Sequence, residues 1–111
     1  MGRARVTDWQ GRPIRHHDGA ASKRESKRVA ELRLLERAGQ IQGLTLQVKV
    51  PLMGRDGPIL TPTGRQMNYV ADAVYVENGA TVYEDTKGHR TEVYLLKRAI
   101  LAAMGIALRE V

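Results

Sequence analysis

The chain has 111 residues, a net charge of +6 and no cysteine, which fits one domain with one modest core. The lack of cysteine excludes disulfides, thiolate metal sites and cysteine nucleophiles, and it favours a reducing, cytoplasmic location. No apolar run approaches the ~18 residues that span a membrane, so we expect no membrane association.

The positive charge is concentrated at the beginning of the chain. Residues 1–28 carry eight Lys or Arg and three acids, whereas residues 29–111 carry ten Lys or Arg and nine acids. Residues 1–20 mix Arg, Gly, Pro and Asp without periodicity, which predicts a flexible basic arm ahead of a domain over residues 21–111. Such an arm fits a polyanionic partner, most often nucleic acid, and a solubilising tail explains the charge equally well.

A first helix is predicted over residues 21–38. Ser22 fits the N-cap position with Glu25 as its capping-box partner, and Glu25 also lies where the helix can present an acid to a site at the end of a sheet. The stripe expected to face the core consists of Val29, Leu32, Leu35 and, at its margin, Leu34. The helix also carries four basic residues that we interpret as contacts for a phosphate backbone: Lys23, Arg24, Lys27 and Arg28.

A first strand is predicted over residues 44–52, because apolar and polar residues alternate there. One face is apolar and consists of Leu44, Leu46, Val48 and Val50. Gln47 lies on the other, polar face, where it can position a substrate. Residues 53–67 contain three Gly and two Pro and are predicted to form a loop.

Residues 68–77 and 80–87 are predicted to form an antiparallel hairpin, because Asn78-Gly79 between them is a strong hairpin signal. A two-residue turn pairs position 77 with 80 and therefore Asp72 with Asp85. Their Cβ atoms are then about 5 Å apart on one face.

The pairing of two acids favours a metal site. Like charges directly opposite each other destabilise a hairpin, and a divalent cation bound between them removes that cost. Lys87 shares the face of Asp85, so an ion pair on a solvated face is the alternative explanation. Asp72 lies in the middle of an apolar strand, where an acid has no ordinary structural purpose, and this favours the metal site.

A second helix is predicted over residues 91–104, with Thr91 as its N-cap. Its core-facing stripe is predicted to be Val93, Leu96, Ile100 and Ala103. Residues 106–110 are predicted to form a short last strand, parallel to its neighbour after the crossover helix. The expected fold is thus an α/β domain with a mixed sheet, in the order helix–strand–strand–strand–helix–strand.

This order, with Asp72 on the second strand and Asp85-Thr86-Lys87 on the third, resembles the restriction-endonuclease-like core of the PD-(D/E)XK nuclease superfamily. Ala71 stands where the superfamily's name has Pro, and Glu25 matches the acid that the superfamily carries on its first helix. The segments SKRESKRVAELRLLERAGQI, LTLQVKVPL, NYVADAVY, YEDTKG and GIALREV resemble a small phage-encoded, endonuclease-like family of unknown function. The resemblance extends over about residues 20–111.

The resemblance implies an Mg²⁺- or Mn²⁺-dependent endonuclease that hydrolyses DNA phosphodiester bonds, with selectivity for branched DNA as in small resolvases. The implied metal ligands are Asp72, Asp85, Glu25 and the Thr86 backbone carbonyl, and Glu84 is the alternative acid if a bulge shifts the register. Lys87 would orient or deprotonate the attacking water, or neutralise the phosphate. The implied substrate contacts are Gln47, Lys97 and Tyr94.

Two other functions fit the same sequence. One is a non-catalytic nucleic-acid-binding module on the same fold, and the other is a small α/β interaction protein. An intact set of Glu25, Asp72, Asp85 and Lys87 favours the enzyme over the binding module. Because a 111-residue chain offers little surface for both strands of DNA, we also expect a homodimer, acting in the host cytoplasm if a phage encodes it.

Overall fold

The computed structural model describes the backbone of residues 19–86 and 90–111, and the side chains of residues 23–86 and 90–111. Almost all of the predicted arm over residues 1–20 therefore lies outside the described residues, and so does Lys87. In the described part of the chain, no helix is long and apolar enough to cross a membrane.

The described residues form two helices, a four-stranded mixed sheet and a two-stranded ribbon. The elements are α1 (Gly19–Arg37), β1 (Gln42–Pro51), β2 (Met53–Gly54), β3 (Gly57–Pro58), β4 (Asn68–Glu77), β5 (Ala80–Asp85), α2 (Glu92–Ala103) and β6 (Leu108–Glu110). The sheet order is β1-β4-β5-β6, in which β6 runs parallel to β5 and the other pairs are antiparallel. The predicted α/β class and mixed sheet are confirmed.

Two predicted details are wrong. Helix α1 begins at Gly19, three residues before Ser22, so Ser22 lies in the first turn and is not the N-cap. The predicted loop over residues 53–67 contains a small ribbon in which β2 pairs with β3. The ribbon forms because a tight turn brings Met53 opposite Pro58, which the Gly and Pro content alone did not indicate.

The hairpin of β4 and β5 has the predicted register. Pairing runs from Glu77 with Ala80 to Ala73 with Glu84, one step short of Asp72 and Asp85. Asn78 and Gly79 have φ values of 51° and 79°, which are the left-handed conformations that a type I′ turn requires at both central positions. The turn chemistry therefore fixes which side chains of β5 lie beside Asp72.

The apolar face predicted for β1 is divided between two cores. Leu44 and Leu46 pack with Leu32 of α1, whereas Val48 and Val50 pack with Leu101 of α2. The division falls at Gln47, whose φ of 53° interrupts the regular strand.

The two helices pack against two different cores. Ala73 packs in the core beneath α1, and its neighbour Val74 packs in the core beneath α2. Ala71, two residues before Ala73 on β4, also packs beneath α2, so the change of core along β4 falls between Ala71 and Ala73.

Helix α2 starts as predicted and packs differently. The Thr91 hydroxyl accepts a hydrogen bond from the Tyr94 backbone N–H at 3.0 Å, which confirms the N-cap. The predicted core stripe is wrong at Val93, Leu96 and Ala103, which are exposed. Ile100 packs against the core as predicted, and the buried residues of the helix are Tyr94 and Leu101. Tyr94 stacks at an angle on Tyr69 of β4, with ring centroids 6.2 Å apart, so aromatic packing determines which side of the helix faces the sheet.

Replacing Gly79 by Ala should lower the free energy of unfolding by about 1–2 kcal/mol, because a Cβ disfavours the left-handed conformation. No atom lies within 4 Å of the added Cβ, so the whole cost is backbone strain. Urea unfolding measures the change, with Asn78→Gly as the control, since Gly adopts the same conformation without strain. Equal stability of Gly79→Ala and wild type would contradict a type I′ turn.

Candidate functional site

A small pocket opens between α1, the middle of β1 and β4, and the end of β5. Its volume of about 70 Å³ has room for several water molecules or a hydrated ion. The residues that line it are Glu25, Arg28, Val29, Leu32, Leu46, Gln47, Asp72, Ala73, Glu84 and Thr86. Six of the sequence-predicted site residues thus line this pocket: Glu25, Arg28, Gln47, Asp72, Glu84 and Thr86.

Asp72 is held in place by the end of β5. Its Oδ2 accepts a hydrogen bond of 2.8 Å from the Thr86 backbone N–H, which fixes the carboxylate against the neighbouring strand. Oδ1 has no hydrogen-bond partner within the described residues. The carboxylate is thus oriented through one oxygen, and the other is available to a ligand.

Glu25 and Gln47 complete the polar part of the pocket. Glu25 is exposed and makes no hydrogen bond or ion pair within the described part of the chain. Gln47 keeps a left-handed φ of 53°, a conformation that costs a non-glycine residue about 1 kcal/mol or more. Strained residues of this kind cluster at functional sites, so the placement of Gln47 beside Asp72 supports a role in binding.

The wall of the pocket is a buried ion pair between Arg28 of α1 and Glu84 of β5. Arg28 Nε donates to Glu84 Oε2 and Arg28 Nη2 donates to Glu84 Oε1, both at 2.8 Å. The Tyr75 hydroxyl donates to the same Oε1 at 2.6 Å. Glu84 is completely buried, so its charge depends on these three donors.

The charges in this wall stabilise each other. Burial raises the pKa of Glu84, but the hydrogen bonds from Arg28 and Tyr75 outweigh burial and bring the pKa below its usual value. The hydrogen bond to Glu84 raises the pKa of Arg28. Arg109 extends the network, because it donates to the Tyr75 hydroxyl at 3.2 Å and pairs with Glu77 at 3.0 Å. Glu84 is therefore a fixed carboxylate whose two oxygens both accept hydrogen bonds from Arg28.

Asp85 and Lys87 are the other two predicted catalytic residues, and only Asp85 belongs to the described part of the chain. Asp85 is buried, with an exposed fraction of 2%, and it is not among the described residues that line the pocket. The pKa of the Tyr94 hydroxyl is raised mainly by burial and by its hydrogen bond to Glu110, and the nearby charge of Asp85 raises it further. Lys87 lies outside the described residues.

Three predicted DNA contacts have other partners in the structure. Tyr94 is buried and donates to Glu110 Oε2 at 2.5 Å, and Lys97 Nζ donates to the Asn68 carbonyl at 2.9 Å. Both residues belong to α2. Arg28 is largely buried against Glu84. The other predicted contacts on α1 are exposed: Lys23, Arg24 and Lys27.

The donor chemistry of the pocket fits a magnesium ion. Mg²⁺ is usually held by one or two carboxylates, keeps several waters and takes further oxygens from a substrate phosphate. Asp72 and Glu25 supply two carboxylates here, and the ion pair of Arg28 with Glu84 adds little net charge. No group of three or more His, Asp or Glu side chains in metal-binding proximity occurs within the described residues.

The sequence also carries a signal for the ion pair of Arg28 with Glu84. Hairpin parity places Glu84 on the same face as Ala73 and Tyr75, which is the face that α1 covers. A buried acid on that face requires a cation from the covering helix, and Arg28 lies one turn before Leu32 on its core side.

The chain belongs to the family described as a protein of unknown function (DUF1064), whose model matches residues 15–110. No curated protein and no solved structure matches the chain. The matched range includes every described helix and strand. Residues 1–14 and Val111 lie outside it. The match supports the coarser part of the predicted resemblance, a family of unknown function, and the family's description names neither an activity nor the PD-(D/E)XK superfamily.

Replacing either partner of the Arg28–Glu84 pair should lower the free energy of unfolding by about 3–5 kcal/mol, because a buried charge is left unpaired. The double variant Arg28→Met with Glu84→Leu should cost less than the sum of Arg28→Met and Glu84→Leu. Urea unfolding measures all three. Glu77→Gln, which removes an exposed ion pair with Arg109, is the control and should cost under about 1 kcal/mol. Strict additivity of the two single substitutions would show that the pair is not coupled.

Proposed function

We propose that the protein is a metal-dependent deoxyribonuclease that hydrolyses phosphodiester bonds at the pocket between α1, the middle of β4 and the end of β5. The observation that supports it best is the convergence of Glu25, Asp72 and Gln47 on one pocket next to Thr86. The resemblance to the PD-(D/E)XK superfamily gives the same residues the same roles.

The protein's own groups have distinct tasks in this proposal. Asp72 and Glu25 would hold Mg²⁺ or Mn²⁺ through hard oxygen ligands, with Asp85 and the Thr86 carbonyl as the further ligands that the resemblance implies. The ion, when bound, supplies a water of lowered pKa and stabilises negative charge on the phosphate. Lys87 would orient that water or neutralise the phosphate.

The rest of the pocket organises the substrate. Gln47 is placed to donate a hydrogen bond to a phosphate or a sugar at the mouth of the pocket. The exposed cations of α1, Lys23, Arg24 and Lys27, lie on the same helix as Glu25 and would bind the backbone on either side of the reacting phosphate. The Arg28–Glu84 pair holds α1 at the sheet, so that Glu25 and Asp72 keep a constant separation.

The nuclease proposal predicts metal-dependent cutting that requires Asp72 and Lys87. Wild type, Asp72→Asn and Lys87→Ala are incubated with labelled single-stranded, duplex and four-way-junction DNA, with Mg²⁺, Mn²⁺ or EDTA. Cutting should need the metal and fall about 100-fold or more in both variants, because a group that stabilises transition-state charge is lost.

The control for this experiment is Glu77→Gln, which removes an acid of β4 outside the pocket and should cut as wild type does. Faster cutting of the junction than of the duplex would support selectivity for branched DNA. Equal behaviour of wild type, Asp72→Asn and Lys87→Ala on every substrate would contradict the nuclease.

The exposed cations of α1 favour a second function, DNA binding without cleavage on the same fold. Replacing Lys23, Arg24 and Lys27 by Ala should weaken DNA binding and lower the dependence of log K on log salt by about one unit for each lost phosphate contact. Arg37→Ala, another exposed cation of α1, is the control at the far end of the helix. Fluorescence anisotropy over a salt series measures the slope, and an unchanged slope would show that this face does not contact DNA.

A further inference from the structure

The solvent-facing side of α2 is almost entirely apolar. Its exposed residues are Glu92, Val93, Leu95, Leu96, Ala99, Ala102 and Ala103, of which Glu92 alone is polar. Val93 and Leu96 have exposed fractions of 57% and 59%. The exposed side of α1 is, by contrast, rich in Lys, Arg and Glu. An apolar helix face of this extent on a small domain marks an interaction surface.

We propose that this surface, called the α2 face (the exposed residues of 92–103), is the contact between two copies of the chain. The two α2 helices pack antiparallel about a two-fold axis that passes near residues 97 and 98. Such an interface is self-complementary, because each residue contacts the residue at the mirrored position of the other copy.

The order of side-chain sizes along α2 supports the antiparallel arrangement. The N-terminal half of the face is bulky, with Val93, Leu95 and Leu96, and the C-terminal half is mostly small, with three alanines. Antiparallel pairing places Leu96 against the partner's Ala99 and Val93 against the partner's Ala102. Large side chains then fill the space above small ones, which is what close packing requires.

The two ends of the helix also match. A groove at the C-terminal end of α2 is lined by Met53, Gly54, Arg55, Ala103 and Met104. The two-fold axis brings Glu92 of the partner subunit to this groove. Arg55 is 92% exposed there, and its ion pair with Asp56 at 3.2 Å is equally exposed. An exposed pair of this kind contributes little, so Arg55 can pair with the partner's Glu92.

Other occupants fit the α2 face less well. A parallel pair of helices would place Glu92 against Glu92 and leave the alanines facing each other across a gap. Nucleic acid requires positive charge, and the α2 face has none among its exposed residues. A second copy of the chain matches the α2 face in both charge and shape.

The oligomeric state of the full chain tests the proposal. Analytical ultracentrifugation over a concentration series should give a dimer for wild type. Leu96→Glu should raise the dimer dissociation constant by about 100-fold or more, because each dimer loses two buried leucines. The matched control is Leu34→Glu, since Leu34 is also a helical leucine with an exposed fraction of 59%, and this variant should remain dimeric. A monomeric wild type, or equal dissociation of both variants, would overturn the proposal.

Cysteine cross-linking tests the direction of the helices, and the absence of natural cysteine removes any background. Glu92→Cys and Ala103→Cys proteins are mixed under reducing conditions and then oxidised. The mixture should form a disulfide-linked heterodimer, and neither protein should cross-link with itself, because residues 92 and 103 lie about 16 Å apart along the helix. Self-linkage of Glu92→Cys would overturn the antiparallel arrangement.

Discussion

The buried ion pair of Arg28 with Glu84 is the constraint on which the arrangement of the site depends. It joins α1 to β5 by two hydrogen bonds of 2.8 Å, and it lies one turn along the helix from Glu25 and one strand away from Asp72. Removing two charges from water is costly, so such a pair is weak evidence for stability. Its bidentate geometry allows one position of the helix on the sheet. The pair therefore determines how far Glu25 stands from Asp72, whatever it contributes to stability.

The second constraint is the change of core at Gln47. Leu46 and Val48 have the parity of one face, and here they pack with different helices. The left-handed residue between them marks the point where β1 passes from the core beneath α1 to the core beneath α2. The pocket lies at this irregular point, where Asp72 is accessible beside the interrupted strand. A strained residue and an oriented acid at the same place suggest that the irregularity is kept for the site.

The sequence predicted the parts of the fold that depend on local chemistry. Asn78-Gly79 determined the register of the hairpin, and Thr91 marked the start of α2, because each residue acts within a few positions of itself. It did not predict what depends on distant partners. The core side of α2 is set by Tyr94 on Tyr69, and the apolar stripe through Leu96 pointed to the opposite side. For the candidate site, hairpin arithmetic correctly related Asp72 to β5, but Arg28 required knowledge of which helix covers Glu84.

The positions of the two helices limit how a dimer could act on DNA. None of the described residues that line the pocket belongs to α2, so dimerisation through α2 would leave both pockets open to solvent. Each copy in such a dimer would carry its own pocket and its own exposed cations on α1. Two such pockets would be able to engage two separate duplex segments, and branched DNA supplies such segments within a single molecule.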